Sequence, residues 1–147
     1  MNQKNYQLLT LALLLGVSAG AMAQGMSMTE YKASKRAIVS EYAAVKVACA
    51  AASGNAKDIC VAETKGKERV AKAELQARYK PSLQAHHKTR MATVQANYNL
   101  AKQRCDNLAG NPKDVCVKEA AAALSVAEAD ATVQLKTAQA KAGIGKG

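Results

Sequence analysis

One stretch occurs twice in this chain, and it constrains the fold more than any other feature. Cys49-Ala-Ala-Ala-Ser-Gly-Asn-Ala-Lys-Asp-Ile-Cys60 and Cys105-Asp-Asn-Leu-Ala-Gly-Asn-Pro-Lys-Asp-Val-Cys116 both place Gly-Asn-x-Lys-Asp between two cysteines. Each copy reads as one helix ending and another beginning. Gly54 and Gly110 stand where a helix closes through a left-handed residue, since glycine has no Cβ to clash at positive φ. Asn55 and Asn111 follow as expected N-caps, and Asp58 and Asp114 fall at the capping-box position, at the positive end of the helix dipole. Pro112 falls at the first helical position, where its missing N–H costs nothing.

Four cysteines allow three pairings. In an antiparallel helical hairpin, residues equally far from the turn face each other at the same height. The expected disulfides are therefore Cys49–Cys60 and Cys105–Cys116, each clasping its own turn. No cysteine knuckle accompanies them, and the only histidines, His86 and His87, are adjacent, so no metal site and no cofactor are expected.

Stable disulfides call for an oxidising compartment. The N-terminus fits that requirement: Lys4 precedes an apolar run from Leu8 to Val17, and Ala21-Met22-Ala23 has the form of a cleavage site. A signal peptide over residues 1–23 is expected, giving periplasmic export and no transmembrane span after cleavage.

The rest of the chain is rich in Ala, Lys, Glu and Gln and has no Phe or Trp, a composition that favours helix. Shifting the sequence by 56 residues, from Cys49 to Cys105, superposes Tyr42 on Tyr98, Val61 on Val117 and Glu63 on Glu119. The expected domain spans 24–142, with repeats at about 26–80 and 82–136 and a flexible tail at 143–147. Pro81 breaks the helix between the repeats. The fold expected is all-α: two clasped antiparallel hairpins in an up-down four-helix bundle with both clasps at one end. The competitor is an elongated rod built on one kinked helix from Asn55 to Ala109.

Apolar stripes at helical spacing propose the packed faces. They are Tyr31, Ile38, Tyr42, Val45, Cys49 and Ala52; Ile59, Ala62, Val70, Ala73 and Ala77; Leu83, Met91, Val94, Tyr98, Ala101, Cys105 and Leu108. In the fourth helix the stripe is Val115, Ala122, Val126, Ala129 and Val133. Such alanine-rich stripes bury little area, so the clasps matter for stability.

Nothing in the sequence assembles a catalytic group. The cysteines are expected to be oxidised, and the two histidines read as a solvated pair. Glu63–Lys67, Glu68–Lys72 and Glu74–Arg78 have the spacing of water-facing ion pairs. A non-enzyme is expected. The 21 Lys and Arg against 11 Asp and Glu become 20 against 11 once Lys4 is cleaved, a net +9. Such a charge favours anionic envelope lipid or polymer, but the lysines are dispersed among acids, and nucleic acid is not the expected partner.

The pattern Tyr-x6-Cys-x4-Gly-Asn-x-Lys-Asp-x-Cys-Val-x-Glu, at Tyr42 to Glu63 and again at Tyr98 to Glu119, resembles a group of small exported Ala/Lys-rich proteobacterial proteins, some labelled cell-envelope or TolA-like. The resemblance implies a periplasmic location and no assigned activity. The expected role is structural or interactive, with an envelope protein or an anionic envelope component as partner. The alternatives are weak binding of lipopolysaccharide or nucleic acid, and a holdase chaperone.

Overall fold

The computed structural model describes residues 25–144, so the expected signal peptide and residues 145–147 lie outside it. Among the described residues the chain is all-α. Helices α1 (Met28–Ala48), α2 (Gly54–Tyr79), α3 (Leu83–Cys105) and α4 (Gly110–Ile144) follow one another, with a short 3₁₀ turn at Cys49–Ala51.

Serine starts α1 and α3. The Ser27 hydroxyl accepts from the Glu30 N–H at 3.2 Å while the Glu30 carboxylate accepts from the Ser27 N–H at 2.8 Å, a complete capping box. These contacts hold the Glu30 carboxyl below its ordinary value. Ser82 accepts from the Ala85 N–H at 3.0 Å and restarts the chain after Pro81. Because α2 stops at Tyr79 and α3 folds back along it, the rod built on one continuous helix is ruled out. At the other end, α4 runs through Gly143 and Ile144, beyond the boundary expected at 142.

Every neighbouring pair is antiparallel. Cys49 meets Cys60 at one end of the α1–α2 hairpin, and Tyr31 stacks on Tyr79 at the other with ring centroids 4.5 Å apart. Cys105 meets Cys116, and further along the second hairpin His87 reaches the Ala131 carbonyl. Between the hairpins, the Asn55 amide at the start of α2 donates to the Gln103 carbonyl near the end of α3, which puts both clasps at the same end.

This up-down bundle is packed in sequence: α1 on α2, α2 on α3, α3 on α4. Helices α1 and α4 have no Cα atoms within 8 Å of each other, so that side of the bundle is open. The core is correspondingly thin. Among the described residues, Cys49, Thr64, Leu75, Ala77, Cys105 and Ala131 are buried, with Gly66 also enclosed. The four described tyrosines are all half-buried, filling the margins of interfaces made largely of alanine.

The stripes expected in the first three helices are largely inside, apart from Val45, Leu83 and Leu108. The stripe expected in α4 is on the wrong side. Val115, Ala122, Val126, Ala129 and Val133 are all exposed, Val126 at 71%. The face of α4 that packs is set by Cys116 and continues through Ala120, Leu124, Ala131 and Leu135. Alanine makes α4 apolar on both sides, so apolarity could not choose between them; the cysteine fixes which side faces α3.

Candidate functional site

The clasps join the cysteine pairs that the turn symmetry selects, Cys49–Cys60 and Cys105–Cys116, each with Cα atoms 5.6 Å apart. No described cysteine is free. Gly54 and Gly110 adopt φ of 53° and 58°, a backbone that a Cβ disfavours.

The caps beside these glycines differ from expectation. The N-cap position of α2 is Ser53, and no side chain caps it. Asn55 turns instead to α3, where its amide donates to the Gln103 carbonyl at 2.9 Å. A carbonyl in the last turn of a helix lacks an intrahelical partner, and Asn55 supplies one from the neighbouring helix. Its Oδ1 is buried without a partner. Asp58 lies beyond the first turn of α2, which contains no acid, so no capping box forms there. The first turn of α4 contains no acid either, which places Asp114 outside it; Asn111, Pro112 and Asp114 are all exposed. The second turn is braced differently, by Lys113 to Asp106 at 2.9 Å.

Gly66 is a close-contact residue that the stripe pattern passed over. A Cβ built there would lie 2.9 Å from the Ala96 Cβ, so α2 and α3 touch nearly backbone to backbone. The available signal was a glycine inside an otherwise helical run, Lys65-Gly66-Lys67, where its poor propensity needs a packing reason. Shallow grooves flank this contact, one bordered by Asp58, Lys65, Arg69 and Lys102, the other by Tyr42, Val70, Glu74 and Leu100.

Charge is concentrated on α2. Lys72 bonds Glu68 at 2.6 Å, and Lys46 of α1 approaches the same carboxylate at 3.7 Å. Lys72, first by its hydrogen bond, and Lys46 hold the Glu68 carboxyl below its ordinary value despite burial. Glu63 and Lys67 pair at 2.6 Å, which lowers the acid and raises the base. Glu74 and Arg78, expected to pair, come no closer than 4.0 Å. His87 is half-buried rather than solvated: its Nδ1 lies 3.2 Å from the Ala131 carbonyl and donates to it. That donor role ties up the ring nitrogen that faces the protein.

The described residues include no group of three or more His, Cys, Asp or Glu able to hold a metal ion. No described helix is long and apolar enough to cross a membrane. Comparison with known proteins adds no identity. No family model, curated protein or solved structure matches the chain significantly. The chemistry of the described surface is that of contact: two locked turns, a close interhelical seam, and outer helices whose exposed faces carry valine and alanine.

Proposed function

We propose that this chain is an exported, non-enzymatic helical protein with a structural or interaction role in the cell envelope. The observation that carries this reading is the pair of closed disulfides in a bundle with a thin core. Such a chain gains much of its stability from oxidation, so it suits an oxidising compartment. The signal-like residues 1–23 supply the route.

A second reading, weak binding of anionic lipid or polymer, draws on one feature of α1. Lys32, Lys35 and Arg36 border an exposed groove with Val39 and Ala43, and none has an acid within 4.0 Å among the described residues. Association through these cations depends on counterion release and weakens steeply with salt.

The test is fractionation combined with thiol trapping. The expected result is a mature chain beginning at Gln24, released with the periplasmic contents and carrying no free thiol. A full-length, reduced chain in the cytosol would overturn the reading. Crosslinking of the released fraction then separates an envelope protein partner from lipopolysaccharide.

A further inference from the structure

The internal repeat makes it possible to ask what each exposed face does in the other copy. Moving 56 residues back from the exposed α4 stripe gives Ile59, Gly66, Val70, Ala73 and Ala77 of α2. These are all buried or half-buried, and they form the side of α2 that meets α3, with Gly66 against Ala96. The face by which repeat one holds repeat two is therefore present again on repeat two, with Ala122 in place of Gly66 and Val133 in place of Ala77. No described element packs on it.

The complementary face is also duplicated. The side of α3 that meets α2 runs through Ala96, Asn99 and Gln103, and 56 residues earlier these become Ser40, Ala43 and Val47 on α1. All three are exposed, Val47 at 74%. Three exposed positions are more apolar than their packed counterparts, Val133 for Ala77, Ala43 for Asn99 and Val47 for Gln103, while Ser40 for Ala96 and Arg36 for Ala92 are more polar. A coat evolved only for water would not keep Val47, Val126 and Val133 exposed, because terminal repeats of an array need polar outer faces to remain single.

A second, independent observation is Asn111. In repeat one the equivalent asparagine does not cap its own helix; it bonds across to Gln103 of the next repeat. Asn111 keeps the residue and the turn, and it stands exposed beside the α4 stripe. The counterpart of the Gln103 carbonyl is that of Val47.

We propose that the exposed α4 face docks the exposed α1 face of a second copy of this chain, in the register of the α2–α3 contact though not at its spacing. Transferring the observed pairing sets the register. Ala122 lies opposite Ser40 of the second copy, as Gly66 lies opposite Ala96; because Ala122 has the Cβ that Gly66 lacks, the docked helices stand further apart than α2 and α3. In the same antiparallel register Val115 meets Val47 of the second copy, Val126 falls beside its Arg36, and Asp130 comes level with its Lys32. Asn111 is then placed to donate to the Val47 carbonyl of the second copy. Because the two faces differ, the contact is heterologous: each molecule offers one of each, so the assembly extends head to tail or closes as a ring. The inference does not depend on export and stands if the envelope reading fails.

The test is sedimentation velocity of the purified, oxidised full chain from low micromolar to near-millimolar concentration. Wild type is expected to move from monomer to dimer and larger species. Val126→Lys on α4 and Val47→Glu on α1 place a charge in the contact, and each should weaken association about tenfold or more. Both positions are exposed, so unchanged helical melts will show that the fold is intact. Mixing the two variants decides the geometry: each keeps one good face, and the expected product is a heterodimer that grows no further. A wild type that remains monomeric throughout overturns the proposal. So does loss of association with Val126→Lys alone while Val47→Glu behaves as wild type, which would mean that α4 pairs with itself. Monomeric wild type that suppresses aggregation of an unfolded client, with Val126→Lys losing that activity, would overturn it in favour of a holdase surface.

Discussion

In the first hairpin, Val70 and Ala77 lie on the side of α2 that another helix covers; in the second, their counterparts Val126 and Val133 lie in solvent. The rest of each hairpin is closely alike. The clasps have the same span, the glycines the same hand, and Leu75 and Ala131, equivalent in the repeat, are both fully buried. The difference lies in position: α2 and α3 are inner helices packed on two sides, while α1 and α4 are outer helices packed on one. A residue's burial in this molecule is set by whether a neighbouring repeat exists, and only then by its own chemistry.

The largest effect expected is from the clasps. Each closes a loop with a sequence separation of 11, so the chain-entropy term is the same, about 3 kcal/mol. The hairpins should nevertheless respond unequally. Helix α1 buries no residue fully, whereas α4 buries Ala131 against α3, so α1 depends more on its disulfide. Replacing Cys49 and Cys60 by Ala should lower Tm by about 10 °C and release α1 amides to hydrogen exchange. The Cys105 and Cys116 double variant should lose less. Equal losses would break the comparison.

The seam between repeats comes next. Gly66→Ala gains about 1 kcal/mol of helix propensity, but its Cβ meets the Ala96 Cβ, which sits next to the backbone and cannot swing away. Overpacking of this kind costs about 1–3 kcal/mol, so a net loss is expected in thermal melts. Ala122→Val, at the equivalent exposed position of α4, should stay within about 0.5 kcal/mol at dilutions that keep chains apart. The glycines of the turns are a control on position. Gly54→Ala and Gly110→Ala should cost alike, about 1–2 kcal/mol, because both have positive φ and open space around them.

These contrasts show what was legible in the residues. The turn, the clasps and the hairpin pairing followed from symmetry about Gly-Asn, because helices of equal pitch must bring equidistant residues to equal height. The break at Pro81 was legible from the ring's loss of a donor. The side of α4 that packs was not, since alanine is compatible with either side, although the phase of Cys116 held the answer. The role of Asn55 was hidden for another reason. An asparagine after glycine is a good cap locally, and only the approach of α3 offers it the Gln103 carbonyl instead. Gly66 was visible as an anomaly, but its cause lies in Ala96, 30 residues away.

Asn55 and Asn111 give a smaller version of the same contrast. Asn55→Ala removes the bond to Gln103 and should cost about 1 kcal/mol. Asn111→Ala removes an exposed side chain and should be near neutral in the isolated monomer. A cost of equal size at both sites would mean that the two asparagines serve their own turns after all, and it would weaken the case that the second is kept for a neighbouring chain.

The smallest effect distinguishes the hairpins by acid. Glu68 receives Lys72 and Lys46, and its repeat counterpart is Leu124, so the second hairpin has no equivalent charge. The Glu68 carboxyl is held below its ordinary value of 4.5, chiefly by the hydrogen bond from Lys72. A carboxyl whose folded pKa is depressed stabilises the fold at pH above its unfolded value, and that contribution disappears as pH falls through the folded one. Wild type and Glu68→Gln should therefore differ modestly in Tm at neutral pH and converge at pH well below 4.5. Exposure of Lys46 and Lys72 to solvent, at 39% and 40%, keeps the gap small through screening. Amide exchange followed through the same pH range locates the effect: loosening should appear first in α1, which shares the cluster through Lys46, and later in α4. Simultaneous loosening of α1 and α4 would show that acid acts on the bundle as a whole and that the charge difference between hairpins has no local consequence.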